Sequence, residues 1–205
     1  MFTNANIPQA FQAVRDRDEK ILWAGAPARL PFLASGVPFL LLGLVWGSID
    51  YFGFIRNMKG IPLGFAIPFF ALHLFPLWGS ILNLLRLYLV VDNTYYAVTD
   101  RRIMMRSGFW GTDFKAVDFD QIANLEVNVN PLEHMLGVGS IRVYSGRITS
   151  KGTPIFDRLA AIANPYEVFK LIKQVSVDVK TDYSYPNAMR PPANPGYPTS
   201  YKPRS

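Results

Sequence analysis

The residues able to do chemistry in this chain are few and scattered. Its two histidines, His73 and His134, fall in no HExxH pattern and in no cluster with metal-ligand spacing. Asp113, Asp118 and Asp120 lie close together without a general acid or base to work against, and read as surface groups. Gly137–Gly139, GVG, lacks the third glycine and the following helix of a dinucleotide loop, and reads as a bend between strands. Neither a nucleophile elbow nor a phosphate loop is found. With 0 cysteines, disulfides, thiol nucleophiles and thiolate metal sites are excluded together, which fits a reducing compartment. The expectation is a protein that is not an enzyme, with no catalytic residues, no metal and no cofactor.

Three groups of residues could bind rather than react. Arg101, Arg102 and Arg106, with Lys115, gather near one hairpin, where each cation gains on the order of 1 kcal/mol against an anionic leaflet; they are candidate lipid-headgroup contacts. His73 lies within an apolar run, where ionisable groups are often functional. A neutral imidazole hydrogen-bonded to a neighbouring span is the plainer reading. The tail, TDYSYPNAMRPPANPGYPTSYKPRS, is rich in Pro, Tyr, Asn and Ser and nearly free of aliphatic residues, so it is expected to stay disordered. Its PANP and NPGY patterns make Pro192, Pro195 and Tyr197 candidate docking residues.

The elements that must position these groups begin with two apolar stretches. Half of the 205 residues are hydrophobic, and they concentrate between Leu30 and Val91. LPFLASGVPFLLLGLVWGSI, Leu30–Ile49, is uncharged and long enough for the ~30 Å of a bilayer core. IPLGFAIPFFALHLFPLWGSILNLL, Ile61–Leu85, is longer, equally free of Asp, Glu, Lys and Arg, and can cross with a tilt. Pro38, Pro68 and Pro76 are expected to kink these helices. The intervening DYFGFIRNMKG reads as a hairpin tip with interfacial aromatics. The mixed-charge segment before the first span argues against a cleaved signal peptide.

The hairpin tip holds only Arg56 and Lys59, whereas Arg15, Arg17, Lys20 and Arg29 precede the spans and Arg86, Arg101, Arg102 and Arg106 follow them. Both termini are therefore expected on the cytoplasmic side. The net charge of +6 and pI near 9.6 suit an anionic membrane surface, and with these spans present nucleic acid is not an expected partner. Gly36, Gly43, Gly47, Gly79 and Ser80 offer small surfaces for helix packing and self-association. Before the spans, Phe11–Trp23 reads as a short interfacial helix or strand, with its RDRDEK run a solvated face.

After Val91 the pattern turns to alternation. Thr94–Val98 and Arg102–Arg106 read as a hairpin turning at Thr99-Asp100, with Ile103 and Met105 inward and Arg102 and Arg106 outward. Further strands are expected at Asp113–Phe119, Asn124–Asn130, Ser140–Tyr144 and Thr153–Ala160, with PLEHMLGVG a loop. ANPYEVFKLIKQV, Ala163–Val175, has helix-start chemistry: Asn164 as cap, Pro165 in the first turn, Glu167 three residues on. Val168, Leu171, Ile172 and Val175 form its apolar stripe.

The succession EKILWAGAP, YAVTDRRIMMRSG, DFDQIANLEVN, LGVGSIRVYSG and ANPYEVFKLI, with paired apolar spans after the first motif, resembles the bacterial PH-like (pleckstrin-homology-like) domain of small membrane proteins. The resemblance covers Glu19 to Val175. It implies two transmembrane α-helices followed by a mainly-β barrel of about seven antiparallel strands capped by a C-terminal helix, and it carries over no catalytic residue. Eukaryotic pleckstrin-homology domains bind phosphoinositides with basic residues of the first hairpin, an analogy that alone establishes no ligand.

The expected layout is an N-terminal interfacial segment at 1–29, spans at 30–52 and 61–91 around an external hairpin at 53–60, a cytoplasmic PH-like domain at 92–178 and a disordered tail at 179–205. The expected function is that of a non-enzymatic adaptor or scaffold in the bacterial cell membrane, working through self-assembly or an unknown membrane or cytoplasmic protein. The alternatives are an anionic-lipid-recognition module and, behind it, a subunit of a transport or enzyme complex.

Overall fold

The computed structural model describes residues 7–58, 60 and 62–184. From the N-terminus, a single turn α1 (Ile7–Ala10) and strand β1 (Ile21–Gly25) precede the helices α2 (Arg29–Ala34), α3 (Val37–Gly53), α4 (Leu63–His73) and α5 (Phe75–Val91). Strands β2 (Tyr95–Thr99), β3 (Arg102–Ser107), β4 (Asp113–Asp118) and β5 (Asn124–Asn128) follow, then a short helix α6 (Pro131–Met135), strands β6 (Val138–Ile148) and β7 (Pro154–Ala163), and helix α7 (Pro165–Ser184). The chain divides into two compact units, Phe32–Asp92 and the combination of Met1–Pro31 with Asn93–Ser205.

The second unit is built from two antiparallel sheets, one ordered β1-β2-β3-β4 and the other β5-β6-β7. Its main core joins Val98, Ile103, Met105, Val117 and Phe119 to Ile141, Val143, Leu159 and Ile162 of the other sheet. The apolar stripe of α7 closes the core with Val168, Ile172, Val175 and Val179. Because Val179 prolongs that stripe by one more turn, α7 continues to Ser184, past the expected start of the tail at 179. Two polar side chains tie this longer helix down: Ser176 Oγ donates to the Phe119 carbonyl at 3.3 Å and Lys180 Nζ to the Ile122 carbonyl at 2.6 Å. Residues beyond 184, including Pro192, Pro195 and Tyr197, lie outside the described residues.

Three expectations for this unit need correction. The segment 1–29 is not merely interfacial, because Ile21–Gly25 pairs antiparallel with β2, Trp23 opposite Val98 and Ala24 opposite Ala97. The domain expected at 92–178 therefore draws its first strand from before the helices. Second, β3 is buried on both faces: Met104 is as sequestered as Ile103 and Met105, packing with Phe11, Ala24 and Ala97 in a separate apolar cluster. Phe11 reaches this outer face of the sheet and meets Phe114 edge-on, ring centroids 6.3 Å apart. Third, PLEHM is a helix rather than a loop. Its Asn130-Pro131-Leu132-Glu133 start repeats the N-P-x-E order of Asn164–Glu167, and it forms a complete capping box, Glu133 N donating to Asn130 Oδ1 at 2.9 Å and Asn130 N to Glu133 Oε2 at 3.0 Å. At α7 the Asn164 carbonyl, at φ 50°, accepts from Glu167 and Val168 N–H instead. Gly137, with φ +66°, makes the turn from α6 into β6 rather than a bend between strands.

In the helical unit, proline ends and starts helices more than it bends them. Pro38 and Pro76 occupy the first turns of α3 and α5, where a missing N–H costs nothing, and Pro68 alone is internal, in α4. The direction change falls at Leu74, where α4 and α5 meet at 52°. The run Arg29–Asn57 is long and apolar enough to cross a membrane; α4 and α5 meet the same test only when taken together as one bent pair. α3 lies against α5 through glycine: a Cβ on Gly43 would stand 2.7 Å from the Pro76 carbonyl oxygen and collide with Ser80 Oγ. Gly36 and Gly47 similarly abut Leu87 and Leu77. The small residues expected to serve self-association are thus used largely within the unit itself.

Candidate functional site

The hairpin of β2 and β3 turns at Asp100-Arg101, and its arginines face carboxylates supplied by the N-terminal segment. Glu19, fully sequestered at 2% exposure, accepts from Arg102 through both oxygens, Nε to Oε1 at 3.0 Å and Nη2 to Oε2 at 2.8 Å. Thr99 Oγ1 donates to Glu19 Oε1 at 2.7 Å and the Asp16 N–H to Oε2 at 3.0 Å. Arg102 Nη2 also donates to the Val14 carbonyl at 3.2 Å and lies 3.4 Å from Asp16 Oδ2. Arg101 Nη1 meets the same carboxylate at 3.5 Å. The corner is closed by a reciprocal pair, Lys20 N to Asp100 Oδ1 at 3.0 Å and Asp100 N to the Lys20 carbonyl at 3.1 Å.

A forked guanidinium on a carboxylate is a charge-assisted bidentate contact, among the stronger polar interactions a protein makes. Burial by itself pushes the Glu19 carboxyl up, but the hydrogen bonds from Arg102, Thr99 and the Asp16 N–H outweigh it, so its pKa lies below the usual carboxylate value. The hydrogen bond to Glu19 holds the Arg102 pKa above its ordinary value, opposed by burial. RDRDEK is therefore not simply a solvated face: it delivers one buried anion to the hairpin. The signal that would have found Glu19 is its place just before ILWAG, once that stretch is read as a strand.

The other two cations of the candidate headgroup set are also engaged. Arg106 lies over the rings of Tyr95 at 5.6 Å and Phe114 at 6.0 Å. Lys115 Nζ is 3.7 Å from Asp157 Oδ1, and Arg147 bonds to the other oxygen of that buried carboxylate. Three of the four, Arg101, Arg102 and Lys115, thus face carboxylates, and Arg106 is held against aromatic rings.

In the helical unit a second polar pair emerges. Asp50 lies inside α3 at 2% exposure, not in the turn that its DYFG context suggested. Its Oδ1 is 3.3 Å from His73 Nε2 at the end of α4, and its Oδ2 has no hydrogen-bond partner. The imidazole stacks on Phe69 with centroids 5.2 Å apart, and Trp46 Nε1 donates to the His73 carbonyl at 3.1 Å. Joining α3 to α4 in this way gives the expected contact between the two apolar segments, with an acid that the sequence reading placed elsewhere. A cleft of about 340 Å³ near the α3–α4 connection is lined by Phe54, Asn57, Met58, Phe65 and Phe70 among others. Its lining holds no His, Asp, Glu, Lys or Arg.

Among the described residues no three His, Asp or Glu side chains group as a metal site would require. Asp113 and Asp120 are exposed, and His134 lies in the last turn of α6. A profile of the family described as bacterial PH domain matches residues 32–175. Among solved structures, a DUF1696 family protein with a pleckstrin-homology domain from Shewanella loihica PV-4 is similar at 14% identity, covering 40% of this chain and 71% of that chain with a TM-score of 0.30. No curated protein matches the chain.

Proposed function

The chain belongs to the bacterial PH domain family, and we propose that it is a membrane-anchored, non-enzymatic adaptor whose PH-like unit binds protein, a second copy of itself foremost. A PH-like domain is an interaction module for protein or lipid. What favours protein here is the state of the arginine hairpin: Arg101 and Arg102 are committed to Asp16 and Glu19, and Lys115 to Asp157. A headgroup would have to displace carboxylates already in place, Glu19 being buried, whereas a protein partner needs only a sheet edge. β4 ends one sheet with Asp113–Ala116 exposed, and β5 ends the other, and such edges can accept an added strand.

For the anchor, we read Arg29–Asn57 as one span and the bent α4–α5 pair as a second, in the bacterial cell membrane with both termini cytoplasmic. Leu41, Leu42, Val45, Phe65, Ile67 and Leu82 of these helices are all exposed, an amount of outward apolar surface that water tolerates poorly and acyl chains accommodate. The tail residues Pro192, Pro195 and Tyr197 remain proposed docking contacts.

Native mass analysis of the full-length chain, extracted with its surrounding lipids, tests the adaptor. The expected result is a defined homo-oligomer or a stoichiometric protein partner. A monomer that retains one class of anionic lipid would overturn the adaptor in favour of lipid recognition.

A further inference from the structure

The turn between β3 and β4 carries Phe109 and Trp110, 46% and 91% exposed, their rings T-shaped at 5.3 Å. Neither ring joins either apolar cluster of the unit, so folding gains little from them. Scattered exposed apolar residues are ordinary, but two adjacent large aromatics at the tip of a constrained turn are not. The constraint is in the backbone. Ser107 pairs with Asp113 at the end of the ladder, and a Cβ on Gly108 would run into the Gly111 carbonyl, whose carbon would be 2.8 Å away. Only glycine at 108 permits this close approach, and the turn it permits holds the two rings outward.

The chemistry of the tip limits what would receive it. Residues 108–112, GFWGT, carry no charge. Behind them, β3 and β4 present Arg106 beside Phe114 and Lys115 beside Met105, with Lys115 facing Asp157 and Asp113 the acid next to the tip in sequence. Trp is amphipathic, an apolar body with one N–H donor, and is enriched where a bilayer meets water; an uncharged aromatic tip with cations set back from it suits that layer. We propose that the β3–β4 tip enters the interfacial layer of the phospholipid bilayer, Phe109 and Trp110 acting as a shallow wedge that fixes the PH-like unit against the membrane. This rests on the membrane anchoring proposed above, since a tethered unit is held at the short range where two side chains suffice.

The absence of cysteine allows a single nitroxide to be placed at will. Full-length Trp110→Cys, and Phe109→Cys, which leaves Trp110 in place, would be labelled and reconstituted into vesicles of mixed zwitterionic and anionic phospholipid. Lys151→Cys, in the turn between β6 and β7, is the reference. Power saturation with oxygen, which partitions into lipid, and with a water-soluble nickel chelate is expected to show oxygen-dominated accessibility at 109 and 110 and the reverse at 151. Nickel-dominated accessibility at both tip positions would overturn the proposal, as would labels immobilised and shielded from both reagents, which marks contact with protein. Alkaline extraction of the same vesicles separates the two readings. A chain that is stripped from the bilayer defeats the anchoring; a chain that stays while its tip remains in water defeats the wedge alone.

Discussion

Glu19→Ala is expected to destabilise the PH-like unit by about 2–3 kcal/mol, at or below the roughly 3–5 kcal/mol of breaking a fully buried ion pair. The discount follows from Arg102, which is 22% exposed and keeps Asp16 and the Val14 carbonyl as partners. Urea-dependent pulse proteolysis of the full-length chain, followed at a β2–β3 site, would measure the loss. Replacing both Glu19 and Arg102 with leucine should cost less than the two single changes combined, because neither charge is then left unpaired. The pH dependence has a definite sign. Glu19 has a native pKa below the reference value of 4.5, so its contribution is complete above that value and is lost as pH falls through the lower native pKa. The stability gap between wild type and Glu19→Gln should therefore be constant from neutral pH down to about 5 and shrink in stronger acid.

His73→Leu is expected to loosen the helical unit by about 2 kcal/mol, by leaving the sequestered Asp50 carboxyl group without its hydrogen-bond partner in apolar surroundings. Asp50→Leu together with His73→Leu should recover most of that loss, since no buried unpartnered carboxyl group then remains. Unfolding in mixed micelles with increasing anionic detergent gives the comparison directly. A double variant no more stable than His73→Leu alone would mean that the pair is not coupled, and that the 3.3 Å contact contributes little. Such interhelical hydrogen bonds average well under 2 kcal/mol when measured by cycles, so the size of the single-variant loss reports chiefly on the isolated carboxylate.

Both pairs show where a sequence stops being legible. β5 and the middle of β6 and β7 could be read because they bury alternate residues against the main core, and local alternation carries that information. Met104 breaks the rule because Phe11, over ninety positions earlier in the chain, covers the second face of its sheet, and no local pattern reports so distant a contact. β1 was hidden for the same reason: ILWAG is short, follows a charge run, and finds its partner β2 only after the intervening helices. Glu19 and Asp50 each sat in a context that favours solvent or a turn, and each was recruited by a cation or imidazole remote in sequence. The first helix cap was a different kind of miss. Asn130–Glu133 has the same N-P-x-E order as Asn164–Glu167, but only a single turn follows it, too short to show a helical period.

The family, the antiparallel strands and the C-terminal helix were thus visible in the order of degenerate motifs, while the division into two sheets and the arrangement of the candidate site were not. Arg101, Arg102, Arg106 and Lys115 are near one another along the strands, but Arg101, Arg102 and Lys115 face Asp16, Glu19 and Asp157, and Arg106 lies over the rings of Tyr95 and Phe114. Most of a basic cluster in sequence became ion pairs once the N-terminal segment and β7 were folded against it. Those contacts support the adaptor, already the leading expectation, over its lipid-recognition alternative.

The central claim is that a PH-like unit is held at one membrane face by a helical hairpin that crosses the bilayer, and thiol accessibility tests it most directly. With no native cysteine, Asn57→Cys near the α3–α4 connection and Lys151→Cys in the PH-like unit can each be probed in intact cells with a membrane-impermeant maleimide. The account predicts that Cys at 57 reacts from outside, and that Cys at 151 reacts only after permeabilisation. Equal reactivity at both positions, or protection of both until the membrane is opened, would place the hairpin tip and the domain on the same side and contradict the crossing.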